Sequence, residues 1–198
     1  LVVDREELIE ECLEGVDRIE AIMRDVRGFA SESSGPVEAV NLNDLIEDAV
    51  RIAVAGAGAE IELERNLEQL LPVHCMPGEI VQVLVNLLVN AFHATGVGGR
   101  VQIESSQQQG EVWISIEDDG SGISQDVIAR IFDPFFTTKP VGHGTGLGLA
   151  ISHHIIRNHA GQLRVESEAG RGARFTLVLP CDPPAAPVRG AVSGDASG

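Results

Sequence analysis

Apolar residues in the first thirty positions recur at alternating spacings of three and four: Ile9, Cys12, Val16, Ile19, Met23, Val26 and Ala30. That spacing is the a/d seam of a coiled coil or helix bundle. Leu8, Leu13, Ile22 and Phe29 widen the stripe, as a helix inside a bundle requires. Glu7, Glu10, Glu11, Glu14, Asp17 and Glu20 cover the solvent side with Arg5, Arg18 and Arg24. The pattern predicts one long amphipathic helix, residues 1–30 forming a unit that seeks a partner helix. Ser31–Pro36 is a cluster of turn formers, so residues 31–40 read as a linker.

Beyond it the period changes repeatedly. Asn43 is placed to cap a helix carrying Leu45, Ile46, Ala49, Val50 and Ala53. Ile61 and Leu63 alternate with Glu60, Glu62 and Glu64, a strand, and a second short strand covers Leu71–Cys75. Pro77 opens a helix over about 78–94. Strands at Val101–Ser105 and Glu111–Glu117 flank a polar turn, Ser106–Gly110. Ser124 is placed to cap a short helix ending near Ile131, and a Gly-rich loop leads to a helix near Gly146–Ala160. Strands at Gln162–Ser167 and Arg174–Leu179 close the pattern. Strands clustered as hairpins among helices predict an α+β fold over residues 41–181. Its form is a two-layer α/β sandwich, a mixed sheet with helices on one face. Residues 182–198, rich in Pro, Ala, Gly and Ser, read as a tail or linker.

Composition narrows the function. With 14 Lys+Arg against 30 Asp+Glu, the net charge of −16 argues against nucleic acid and against anionic membrane. The three cysteines form no CxxC pair, which leaves neither a disulfide framework nor a zinc site. No run approaches the ~18 apolar residues of a membrane span. The start at Leu1, without a signal-peptide pattern, reads as a cytoplasmic piece of something longer, whose parent can be membrane-attached.

Four features carry chemistry. Within the apolar helix Glu79–His93, the polar residues Glu79, Gln82, Asn86, Asn90 and His93 are spaced three, four, four and three, on one face. Two readings stay open for that face: a satisfied network of structural amides, or a ligand wall whose Asn carbonyl suits Mg2+. Asp118-Asp-Gly-Ser-Gly-Ile123 follows a strand, with a fixed acceptor beside glycines that permit close backbone approach. Gly142-His-Gly-Thr-Gly-Leu-Gly148 runs into a helix whose start favours phosphate. It is not a Walker loop, because no GK[ST] follows. Phe132-Asp-Pro-Phe-Phe-Thr-Thr-Lys139 sits between these two, its Lys able to reach a phosphate.

In this order the features resemble the ATP-binding catalytic domain of sensor histidine kinases, from about Asn41 to Pro180. Asn86–Ala91 is similar to that family's asparagine box, Asp118–Gly122 to its first glycine box, Phe132–Lys139 to its phenylalanine box, and Gly142–Gly148 to its second glycine box. The resemblance implies ATP and Mg2+ as cofactors. It implies that Asp118 accepts a hydrogen bond from the adenine amino group, and that Gly120, Gly122 and Ile123 lie against the base. Asn90 would hold Mg2+ and act in catalysis with Asn86 and Lys139. Gly144, Thr145, Gly146, Leu147 and Gly148 would cradle the phosphates, with Thr138 and His93 beside them, under a lid over about Ser124–Thr145 hinged at Gly142, Gly144 and Gly146. Phe132, Phe135 and Phe136 would anchor its base.

Related ATPases of the gyrase, chaperone and mismatch-repair kind place a water-activating Glu where this chain has Asn86, and an amide is no general base. None of the six histidines (His74, His93, His143, His153, His154 and His159) has the acceptor context of a complete kinase. For His153, His154 and His159 a helix-surface position suffices. Residues 4–30 are similar to the second helix of the dimerisation hairpin. The resemblance therefore implies a homodimer through that helix, and phosphoryl transfer to a histidine outside this sequence and on to a response-regulator receiver domain. A non-catalytic ATP-binding and dimerisation module, or a gyrase-type ATPase, is the alternative.

Overall fold

The computed structural model describes residues 35–57, 61–139 and 144–181. The bundle-helix and tail readings, and Gly142 and His143, lie outside the described residues. The elements in chain order are β1 (Glu38–Val40), α1 (Leu42–Ala57), β2 (Glu62–Leu67), β3 (Val73–Cys75), α2 (Pro77–Thr95), β4 (Arg100–Gln108) and β5 (Glu111–Asp118). They continue with α3 (Gln125–Ile128), α4 (Gly148–Asn158), β6 (Gln162–Ser167) and β7 (Ala173–Pro180).

Five strands form one sheet in the order β2-β4-β5-β7-β6, with β2 parallel to β4 and the other pairs antiparallel. Strand alternation sorts its two faces. Val101, Ile103, Val112, Ile114, Ile116, Phe175, Leu177 and Leu179 are buried on one. Helix α2 presses Ile80, Val83, Leu84, Leu87 and Leu88 into this core, between α1 and α4. The other face carries a polar lattice. Arg174 donates to Glu117, to Glu104 (3.1 Å) and to Ser115 Oγ (3.4 Å). The expected sandwich, helices on one side of a mixed sheet, is therefore the observed fold.

Four local expectations change. The β4–β5 strands run on to a two-residue turn, Gln109–Gly110, both at positive φ (54° and 80°), so polar residues from the expected loop join the hairpin. Within the expected linker, β1 pairs antiparallel with β3, Glu38 opposite Cys75. Asn43 is not the helix cap. Asn41 Oδ1 accepts from Asn43 N (3.0 Å), while the Asn43 side chain donates to Glu68 O and accepts from Ser105 Oγ, both at 2.8 Å, pinning α1 to the sheet. His159 is buried rather than a surface residue: its Nε2 accepts from Met76 N (3.1 Å), and Nδ1 lies 2.8 Å from Ile155 O. One imidazole thereby joins the start of α2 to the end of α4.

Candidate functional site

Helix α2 ends where β5 ends, because both run to the same edge of the sandwich. The polar stripe on α2 divides into three parts. At its start, Glu79 Oε2 lies 3.8 Å from His159 Nδ1. In the middle, Asn86 Nδ2 donates to Ser152 Oγ on α4 (2.9 Å). Asn86 also lies against Gly148, where any Cβ would collide with the amide, so Gly148 is the residue that lets α4 start beside α2. Asn86 thus bridges two helices. At the end, Lys139 Nζ reaches from the phenylalanine segment to 3.5 Å from Asn90 Oδ1 and 3.2 Å from His93 Nδ1.

That last cluster joins a hard oxygen donor, an imidazole and an ammonium. Burial holds the Lys139 pKa below its ordinary value. The His93 pKa is also lowered, by burial first and then by the Lys139 charge, against an opposing backbone contact at Val89. The lysine ammonium stands where a small cation would meet Asn90 Oδ1. Among the described residues no group of three or more His, Cys, Asp or Glu can hold a metal. A divalent ion held here would rely on Asn90 and on oxygens brought by a ligand, the usual habit of Mg2+ with phosphates.

Asp118, 5% exposed, closes β5. Its Oδ1 accepts from Gly120 N at 3.0 Å. Burial pushes its carboxyl above the ordinary carboxylate range, and the N–H groups of Gly120 and Ala173 pull the other way. The turn after it is braced from two sides. Ser121 N donates to Ala94 O at the end of α2 (3.3 Å), and Gly170 N donates to Ser121 O (2.7 Å). Ile123 N donates to Ser167 Oγ (2.8 Å), which in turn donates to Gly172 O (2.7 Å). Ser167 and Gly172, in the β6–β7 hairpin, escaped the sequence reading because they act only through this contact.

The second glycine segment leads into α4, whose first N–H groups have no intrahelical acceptor. Leu147, buried, anchors it, and Leu147 N donates to Thr145 Oγ1 (3.2 Å). Gly146 has φ 67° and packs on the backbone of Phe135, itself at φ 67°. A side chain at 146 would be strained and obstructed together. Gly144 lies beside Thr137 and Lys139. Thr137 Oγ1 accepts from Lys139 N (3.1 Å), and Thr138 is exposed. Of the three phenylalanines expected to anchor the segment, two do. Phe132 stacks on His153 with centroids 5.0 Å apart, and Phe136 lies under the Arg130 guanidinium at 4.4 Å. Phe135 does not, being 74% exposed at a φ of 67°.

A buried carboxylate at one strand end, an amide–lysine cluster and a glycine-rich helix start are gathered on one α/β sandwich. Residues 76–183 match the model of the "Histidine kinase-, DNA gyrase B-, and HSP90-like ATPase" family. The chain belongs to that family. It is 38% identical over 181 residues to the signal transduction histidine-protein kinase AtoS of Escherichia coli K12, covering 90% of this chain and 29% of AtoS. It is 38% identical over 166 residues to the sensor histidine kinase ZraS of Escherichia coli O157:H7, covering 83% of this chain and 36% of ZraS. The chain thus spans about a third of these relatives' length. The nucleotide-free catalytic domain of histidine kinase ThkA superposes with a TM-score of 0.66 at 32% identity, covering 74% of this chain and 97% of ThkA's. Full-length ShkA in complex with AMPPNP matches 96% of this chain and 42% of its own, with a TM-score of 0.72 and 26% identity.

Proposed function

We propose that this chain is the catalytic part of a sensor histidine kinase. In this reading it binds Mg–ATP and passes the γ-phosphoryl to a histidine of a dimerisation hairpin, and from there to a response-regulator aspartate. The observation that carries it is the Lys139–Asn90–His93 cluster, gathered at the same edge of the sandwich as Asp118. Asp118 would select the adenine amino group, and the N–H groups opening α4 would take phosphate oxygens. Asn90 would hold Mg2+, whose chemistry is to neutralise phosphate charge. Lys139 would turn from Asn90 and His93 to the terminal phosphate, positioning it with its charge spread over fixed donors.

Hydrolysis of the gyrase or chaperone kind is less well supported. Position 86 is an amide already bonded to Ser152, not a carboxylate free to activate water. In the proposal the homodimer forms through residues 4–30 and the ATP-binding unit works in the cytoplasm. Among the described residues no helix is long and apolar enough to cross a membrane.

The test joins this chain to its upstream residues and supplies radiolabelled ATP. Acid-labile, base-stable phosphate should appear on the protein, and Asn90→Ala should abolish it while the fold persists by circular dichroism. Tight ATP binding with no label in the longer chain would favour a non-catalytic module. Steady phosphate release without label would favour an ATPase.

A further inference from the structure

Eight arginines fall among the described residues, and six of them pair with a carboxylate there. The two that do not are Arg157, on the last turn of α4, and Arg164, on β6. Both line one groove with His153, Gly161 and Gln162, and among the described residues no carboxylate lines it; Arg164 also borders a second pocket, lined by Glu104 and Glu166. In a chain of net charge −16, two guanidinium groups on one groove, neither in an ion pair among the described residues, are an electrostatic exception. Arg164 is held in place: Nε and Nη2 donate to Gln162 Oε1 (3.2 and 2.8 Å), and its guanidinium lies 4.8 Å from the Trp113 ring centroid. Its outer edge remains for an incoming carboxylate, which suits the planar fork of arginine.

The sequence supplies the complementary charge. Residues 4–20 carry eight acids against two arginines, and Glu10, Glu14 and Asp17 are spaced four and three, one face of a helix. That face is opposite the seam of Ile9, Cys12, Val16 and Ile19, so pairing through the seam leaves the acids outward. The chain also comes into the fold beside the groove. Glu38 pairs with Cys75, and the next residue, Met76, donates its N–H to His159, between Arg157 and the groove residues Ala160 and Gly161. Ser31–Pro36, between residues 4–20 and β1, is a cluster of turn formers.

We propose that the acidic face of residues 4–20 docks on Arg157 and Arg164 of the same chain, fixing the ATP-binding unit against its N-terminal helix. This is independent of the nucleotide reading and holds whatever reaction the pocket performs. Because α4 begins at Gly148 in the glycine-rich loop and ends at this groove, the same helix carries both contacts.

The test uses the full chain with Arg157→Lys or Arg164→Lys, each giving an amine that a zero-length carbodiimide joins to a carboxylate it touches. Mass spectrometry should find either lysine linked to a peptide from residues 4–20. The link should be lost in Glu10→Gln/Glu14→Gln/Asp17→Asn and in 1 M salt, where the Debye length falls to ~3 Å. Isotopically heavy and light chains are mixed beforehand. Links between heavy and light chains would assign the groove to a second copy and overturn the proposal. Links to acids elsewhere, or none while the fold is intact, would overturn it as well.

Discussion

The two glycine turns of the site are built to different standards. The first, after Asp118, is bonded to the end of α2 through Ala94 and to the β6–β7 hairpin through Ser167 and Gly170. The second, Gly144–Gly148, is met by the buried Leu147 side chain, by the Leu147 N to Thr145 Oγ1 bond, by the Phe135 backbone behind Gly146 and by Asn86 beside Gly148. A turn cross-braced by strands and a helix is suited to a rigid base with one fixed pattern of donors. Among the described residues no backbone–backbone hydrogen bond ties residues 144–146 to a strand or helix, so this turn can shift more readily. The difference teaches that similar glycine spacing, DxGxG and GxGxG, encodes two mechanical roles, set by what stands behind each loop.

The comparison can be broken most severely at Gly172. Its φ is 77° and an added Cβ would run into the Asp118 carbonyl, so Gly172→Ala should cost more than ~3 kcal/mol in urea unfolding. Gly146→Ala should cost only about 1 kcal/mol of stability, because its strain falls on the loosely held turn. Its main effect should be weaker binding of a non-hydrolysable ATP analogue by calorimetry. Equal stability losses at the two glycines would erase the distinction.

Asp118→Asn separates binding from folding. It should weaken ADP binding by about 1–3 kcal/mol, the loss of a charge-assisted hydrogen bond. Because burial raises the Asp118 pKa in the fold, the ionised form is disfavoured there, and this cost is present above the folded pKa and fades as pH falls through it. The neutral amide removes that cost, so at pH 7 the variant should unfold no earlier than the parent, by thermal melt. Amide exchange should show the 118–123 backbone protected with or without nucleotide, and the 144–148 backbone protected only with it. The smallest effect is electrostatic. Lys139→Met should raise the His93 pKa, read by proton NMR titration, since the neighbouring charge helps hold it down. An unmoved pKa would show that burial alone sets it.

Much of the site was legible before any geometry. The 3–4–4–3 spacing put Asn86, Asn90 and His93 on one helix face, and the glycines marked both turns, because helix period and glycine's lack of Cβ are local properties. What spacing could not reveal was the fate of each polar group. Asn86 turned out to be bonded to Ser152, 66 residues away, and Asn43 proved a tie to the sheet instead of a cap. His159 looked like a surface residue because its helix position is ordinary. Its acceptor role toward Met76 exists only once the two helices pack.

The sequence by itself determined the alternation of strands and helices, the apolar faces that make them a sandwich, and the residue types able to meet adenine and phosphate. All of these depend on periods of two and 3.6 residues and on side-chain chemistry, which neighbours in the chain already specify. Only the tertiary structure decided which glycine turn is braced, that Lys139 meets Asn90 and His93, and that Arg157 and Arg164 have no carboxylate partner among the described residues. Those outcomes rest on hydrogen bonds and charges between residues far apart in sequence. Their partners are chosen by how the sheet and helices close, not by any pattern along the chain.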